Sequence, residues 1–423
     1  MTGVKHFLDP LRGRGDIVAL LVFAALVMAG NGLVAPVLSV YGTTLSASGT
    51  LVGMIITIFG LGRLATNIPA GILAQRFGRR PVLIVGPLLL VIGSVGAALA
   101  ADISSLLLWR LLQGVGSGIY MTVSTVMLAD IASDRDRGHL MALHQASLLL
   151  GAGMGPVIGG VIADLWGYKA PFWAYGVVCA AGLAVALTAI RETLPASAAT
   201  TGPEDRAAGR NAFSILRDAR FLIVGLTNFG IFFTRTATLW MAIPLLATRE
   251  HGLSLGLVGL ALALATVANF LMLPFAGAAI ERCGATRTSL VALLVTAGAL
   301  AMIALGKEAA WFWTGLALLG AAGGFNGPAV TTQAAEAAPR QFYGQAIGTL
   351  RTAGDIGFVL GPLIIGFLSD VAALTSAGAV LLNAALLAAT AGLTAYFGRK
   401  GQRTTGPTKP DEPASPTHTD IGG

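Results

Sequence analysis

Apolar residues fall along this chain in long continuous runs rather than in alternation. Crossing the hydrocarbon core of a bilayer, about 30 Å thick, takes roughly 20 apolar residues in a helix. Runs of that length lie at 17–40, 51–74, 82–101, 104–128, 140–163 and 172–190. Six more follow at 221–247, 254–280, 288–306, 310–335, 345–369 and 376–397. A helix satisfies its own backbone groups in lipid, and the two-residue alternation of barrel strands is absent. The pattern predicts an all-α integral membrane protein with twelve transmembrane helices.

Composition agrees. Of the 423 residues 55% are hydrophobic and 11% charged, against roughly 25% charged in soluble domains. So long and so apolar a chain cannot hide its surface in one water-bounded core, which excludes a soluble enzyme, a disordered protein and a disulfide scaffold. Cys179 and Cys283 are too few for a disulfide framework. His6, His139, His144, His251 and His418 show no metal-ligand spacing. With no cluster of His, Cys or paired acids, no cofactor, metal or catalysis is expected. The first run lacks a small-residue cleavage site and reads as a span, not a signal.

Charge placement sets an orientation. Twelve spans put both termini on one side, where twenty of the 27 Lys and Arg fall. The opposite loops hold only Lys169, Arg249 and Lys307, while Arg63, Arg110, Arg235 and Arg351 lie inside spans. The positive-inside bias predicts cytoplasmic termini, so the net charge of +7 reports topology and not a nucleic-acid partner. The expected organisation is a cytoplasmic N-terminus at 1–16, six spans over 17–190, a cytoplasmic linker at 191–219, six spans over 220–397 and a disordered tail at 398–423. Within the linker, 213–219 is expected to form a short interfacial helix.

One step relates the halves. Gly71, Arg76 and Gly78 recur 206 residues on as Gly277, Arg282 and Gly284. The same step carries Gly114, Gly118 and Asp130 onto Gly320, Gly324 and Glu336, and Gly155, Pro156, Gly160 and Asp164 onto Gly361, Pro362, Gly366 and Asp370. The chain thus reads as two six-helix halves in parallel repeat, with a ligand site near the midplane between them.

Three motifs stand on this frame. Between spans 2 and 3, Gly71, Gln75, Arg76, Gly78, Arg79 and Arg80 form a sharp basic turn, and Asp130 at the end of span 4 is placed to pair with Arg79. Span 4 carries Arg110, Gln113, Gly114 and Gly116; an arginine that deep needs water, a partner or a substrate, or else braces its own half through backbone carbonyls. Span 5 carries Gly151, Gly153, Gly155, Pro156, Gly159 and Gly160, a small-residue stripe for close helix packing with a proline kink.

These motifs resemble the signatures of the major facilitator superfamily, and the span 5 run resembles that of its twelve-helix drug–proton antiporter branch. Gln75 stands where the family's loop signature has an acid. The resemblance implies conformational gating by the loop residues, Asp130 and the span 5 glycines, and a link between Arg110 and proton coupling. It implies a secondary transporter that exports small amphipathic compounds by alternating access in exchange for protons. The alternative on the same fold is an importer or facilitator of a small metabolite. A bacterial cytoplasmic membrane, a monomer, and protons, lipid and a small molecule as partners go with it.

Asp355 is the one acid well inside a span, with Arg351 one turn earlier on the same face. Asp355 reads either as the proton carrier or as half of a structural ion pair with Arg351. Asn31, Tyr120, Asn228, Phe232, Arg235, Trp240, Asn269, Phe270, Asn326 and Phe358 are the candidate substrate contacts. Four intramembrane arginines against one aspartate predict a positive cavity that favours neutral or anionic amphipaths.

Overall fold

The computed structural model describes residues 14–133, 136–194, 219–337 and 343–404. Twelve rods appear among them. They are α1 (Gly15–Val34, resumed as Leu38–Thr44), α2 (Gly49–Phe77), α3 (Arg79–Leu99), α4 (Ile103–Ile131), α5 (Arg137–Trp166) and α6 (Ala170–Thr188). Then come α7 (Ala219–Phe233, Thr234–Ala242 and Ile243–Arg249 end to end), α8 (Leu255–Cys283), α9 (Ala285–Leu305), α10 (Ala309–Ala337), α11 (Tyr343–Val371) and α12 (Ser376–Thr404). Eleven are long and apolar enough to cross a membrane by those measures alone. The exception, α10, has the length but is diluted by buried Asn326 and Gln333, which it hides against its own half. Large apolar side chains such as Val22, Ile92, Val177 and Val291 cover the outside, the surface a lipid solvent requires.

Differences from the hydropathy pattern are local. Pro36 lies in the break of α1 at 35–37, and α7 is wound as a π-helix over Thr234–Ala242. The last helix runs to Thr404, past the expected end at 397 and into the segment expected to be disordered. The expected interfacial helix at 213–219 lies outside the described residues except for Ala219, which opens α7.

Helix starts at 49, 79, 103, 137 and 170 recur at 255, 285, 309, 343 and 376, the constant step of 206. Caps repeat with it: Ser48 accepts the Leu51 N–H and Ser254 the Leu257 N–H, each opening a helix. Gly78 and Gly284 hold φ of 97° and 82° at the corresponding turns, a left-handed backbone that glycine adopts without a Cβ penalty.

The halves meet along two related seams, α2 against α11 and α8 against α5. We call the side bearing residues 14 and 404 the terminal face and the other the far face. At the far face the Asp370 carboxylate accepts the Gly49 and Thr50 backbone N–H groups at 2.6 and 2.8 Å and the Thr50 hydroxyl at 2.6 Å. Its counterpart Asp164 accepts the Leu255 and Gly256 N–H groups at 2.9 and 2.8 Å. Each half therefore caps a helix N-terminus of the other, where the free N–H groups and the positive dipole end favour an anion. Below the clamps Gly160 packs on the Leu255 carbonyl and Gly259 on that of Pro156; Gly366 on Gly49 and Gly53 on Pro362 repeat the arrangement. Among the described residues no hydrogen bond joins the halves on the terminal side of Arg63–Asp355, and Cβ positions at Gly71, Gly277 and Gly348 have nothing within 4 Å.

Candidate functional site

Arg63 and Asp355 meet at 2.7 Å across the seam, their side chains 15% and 9% exposed. Arg63 is fourteen residues from either end of α2, about 21 Å at 1.5 Å per residue, so the pair sits at mid-membrane. The Arg63 guanidinium also lies 4.4 Å over the Phe358 ring. Phe358 joins Phe59 of the first half at 6.5 Å and Trp240 of the second at 5.7 Å, edge-on. Arg235 stands 5.7 Å over the Trp240 ring. Tyr120 of α4 is buried within the first half, edge-on to Phe23 of α1 at 6.0 Å and against Gly86 of α3. Thr57 donates to the Val359 carbonyl and Thr236 to the Phe358 carbonyl, which tie both walls to α11.

The expected Arg351–Asp355 pair is not formed. Arg351 is exposed, and Asp355 turns to Arg63, 292 positions away in sequence. A buried carboxylate takes the partner that the tertiary packing puts beside it; the one-turn spacing only made Arg351 available. Arg63 was visible as an intramembrane charge in need of a partner, but no local spacing pointed to Asp355.

Of the expected contacts, Asp355, Phe358, Trp240 and Arg235 come together around Arg63, and the others, Tyr120 among them, do not. Arg110 is fully buried inside the first half, where its Nε donates to the Ile55 carbonyl at 3.2 Å, its Nη1 to Gln113 at 2.7 Å, and its guanidinium covers Phe59 at 4.4 Å. Gln113 passes the link to Ser94, so Arg110 braces α4 against α2 and α3. Asn228 donates to the Leu350 carbonyl and, with Phe232, packs on Gly354 within the second half. Asn269 packs on Gly323, and Asn326 donates to Thr296, both inside that half. Phe270 is exposed. Asn31 is half-buried, with its Oδ1 unpaired among the described residues.

The span 5 stripe serves two partners. Gly151, Gly155 and Gly159 accept the backbone of α1 at Ala25, Ala29 and Leu33; the Pro156 ring lies against Gly32 of α1 while its carbonyl meets Gly259 of α8, and Gly160 faces α8 across the seam. The π-turn of α7 depends on a residue the sequence did not single out. Asn383 of α12, fully buried, donates to Thr234 and Thr238 on either side of Arg235. Such an insertion re-aims the side chains around it.

At the terminal face the basic turn is anchored. Arg79 pairs with Asp130 at 3.1 Å, Thr193 donates to the same carboxylate, and Arg80 reaches the Leu187 carbonyl. Gln75 and Arg76 are exposed. Glu192, also unanticipated, accepts the Arg79 and Arg80 N–H groups at 2.9 and 3.0 Å and so caps α3. Partial burial raises its carboxyl; N–H bonds from Leu194, Arg80, Arg79 and Thr193 outweigh that and hold it below the ordinary value of 4.5. A depressed carboxyl stabilises the folded state above its unfolded pKa and loses that contribution as pH falls through the folded one. Glu192→Gln is thus expected to cost about 1 kcal/mol at neutral pH, the scale of one helix-cap acceptor. The deficit should vanish in melts taken well below pH 4.5.

Two pseudo-repeated helical halves around a polar midplane cluster define a multi-pass membrane transporter rather than an enzyme. A family model described as Major Facilitator Superfamily matches residues 20–241 and 226–419, and the chain belongs to that family. An uncharacterized MFS-type transporter of Methanocaldococcus jannaschii, MJ1560, is 22% identical over 347 residues, 81% of this chain and 88% of that one. The multidrug resistance protein MdtL of Shigella flexneri is 34% identical over 140 residues, 33% of this chain and 36% of MdtL. The structure of the nucleoside transporter NupG shares the fold, with a TM-score of 0.74 at 14% identity over 90% of this chain and 98% of that one.

Proposed function

We propose that this chain exports small amphipathic compounds in exchange for protons, with its terminal face in the cytoplasm of a bacterial cell and the monomer as working unit. The Arg63–Asp355 pair carries this reading: it is the midplane acid, and its partner belongs to the other half. The similarity to MdtL over a third of each chain supports a drug-like cargo, and the excess of basic residues on the side of the termini supports the orientation.

With the far face sealed by the two clamps, ionised Asp355 is held by Arg63 and substrate enters from the terminal face. As the halves rock, Asp355 meets far-side water, takes a proton and releases Arg63. Return delivers that proton to the terminal side, where the pair re-forms. The basic turn at Gly71–Arg80 with Asp130 governs closure of the terminal face, and the α5 glycines govern closure of the far face.

Purified protein in liposomes, given an acidic far side and a panel of neutral, anionic and cationic fluorescent amphipaths, tests the reading. Native protein is expected to move at least one probe with the pH gradient, and Asp355→Asn to lose that coupling by tenfold or more. Arg110→Ala, which alters a brace inside the first half that does not touch the pair itself, is expected to keep proton linkage while melting earlier. Flux indifferent to the gradient in native protein overturns the proton exchange.

A further inference from the structure

The four intramembrane arginines are not equivalent. Arg63 is neutralised by Asp355, Arg110 is enclosed in the first half, and Arg351 is exposed on the terminal half of α11. Arg235 alone of them stands in the midplane cluster with no carboxylate at ion-pair distance among the described residues. It is half-buried, fourteen residues from the far end of α7, and the Asn383-braced π-turn fixes its backbone. Beside it lies the indole of Trp240, with the Phe358 ring edge-on to that indole. A guanidinium held away from bulk water without a counter-charge is costly unless a ligand supplies one, and its planar fork fits the two oxygens of a carboxylate.

We infer that the transported substrate is an amphipathic organic monoanion, its carboxylate or similar planar oxyanion on Arg235 and its apolar body, aromatic or otherwise flat, against Trp240 and Phe358. The charge count of the cluster limits the substrate to one negative charge, because Arg63 and Asp355 cancel. This assignment rests on the export reading and adds a consequence to it. An anion leaving while a proton enters moves charge in the same sense twice, so an inside-negative potential accelerates transport, whereas a cation leaving against a proton does not respond.

Three probes with one ring system separate the possibilities: 2-naphthoate, 2-naphthalenemethanol and 2-naphthylmethylammonium, titrated calorimetrically into the purified full-length protein. Naphthoate is expected to bind at least tenfold tighter than either other probe. Arg235→Gln should erase that preference and Arg235→Lys keep part of it, with each variant's melting temperature recorded. In liposomes, valinomycin-clamped inside-negative potential should speed naphthoate efflux. The assignment is overturned if the ammonium probe binds as well as naphthoate, if none of the three binds native protein at millimolar concentration, or if Arg235→Gln folds and leaves the ranking unchanged. Proton-driven flux of the neutral alcohol with no preference for naphthoate removes the anion and leaves export standing. Arg235-dependent naphthoate binding without any proton-linked flux does the reverse.

Discussion

Replacing Asp164 and Asp370 together by asparagine is expected to open the far face. Each carboxylate caps a helix that belongs to the other half, through two backbone N–H groups and, at Asp370, the Thr50 hydroxyl as well. Asparagine keeps an acceptor oxygen but loses the charge that the helix N-terminus favours. Both sites are solvent-exposed. Allowing for screening, the loss is about 1 kcal/mol at each clamp, toward the upper end for charge at a helix terminus. Two clamps amount to about 2 kcal/mol, roughly a 30-fold shift in population toward the far-open state. Spin labels on Thr44→Cys and Thr375→Cys, in a Cys283→Ser background, report it as a longer distance. The cavity of about 410 Å³ beside the clamp, lined by Ser48, Arg249, Asp370 and Thr375, is where separation should begin. Single variants should give intermediate shifts that add, because the clamps lie on separate seams. An unchanged distance distribution in the double variant would mean that glycine packing alone seals this face.

Arg63→Gln is expected to destabilise the protein more than any other single exchange at the midplane. It leaves Asp355, 9% exposed, as an uncompensated charge, and breaking one side of a buried pair costs about 3–5 kcal/mol. The double variant Arg63→Gln/Asp355→Asn removes both charges and should recover most of that loss, with a coupling energy of about 2–3 kcal/mol. Thermal melts of the four proteins in one detergent complete the cycle. If the double variant melts no higher than Arg63→Gln, the pair is not the interhalf tie that the proposed exchange requires. The same cycle separates stability from transport, since the double variant should fold well and still lack proton-linked flux.

Much of the architecture was legible in the linear pattern because lipid imposes a simple rule. A span must be apolar for its whole length, and a duplicated chain repeats that length, its caps and its turn glycines at one interval. The Arg79–Asp130 contact was legible for a similar reason, since both residues sit at helix ends on one face of the membrane. The stripe of α5 was recognisable as a packing surface, but its division between α1 and α8 depends on the direction in which each glycine faces. Glu192 and Asn383 escaped notice because each acts on backbone or hydroxyl groups of a distant segment, and neither falls in a motif.

What the sequence determined by itself is the class of solvent this chain folds in, the number of its helices, their duplication and the residues that lipid will not accept. What only the tertiary structure decided is how those excluded residues are matched. Asp355 passed over the arginine one turn away for Arg63, Arg110 closed inside its own half, and Arg235 was left over the Trp240 ring with no carboxylate beside it among the described residues. The physical reason is range. Hydrophobic burial in a bilayer acts on each segment independently and so can be read locally, whereas the pairing of a buried charge depends on which helices pack side by side, at separations of hundreds of residues.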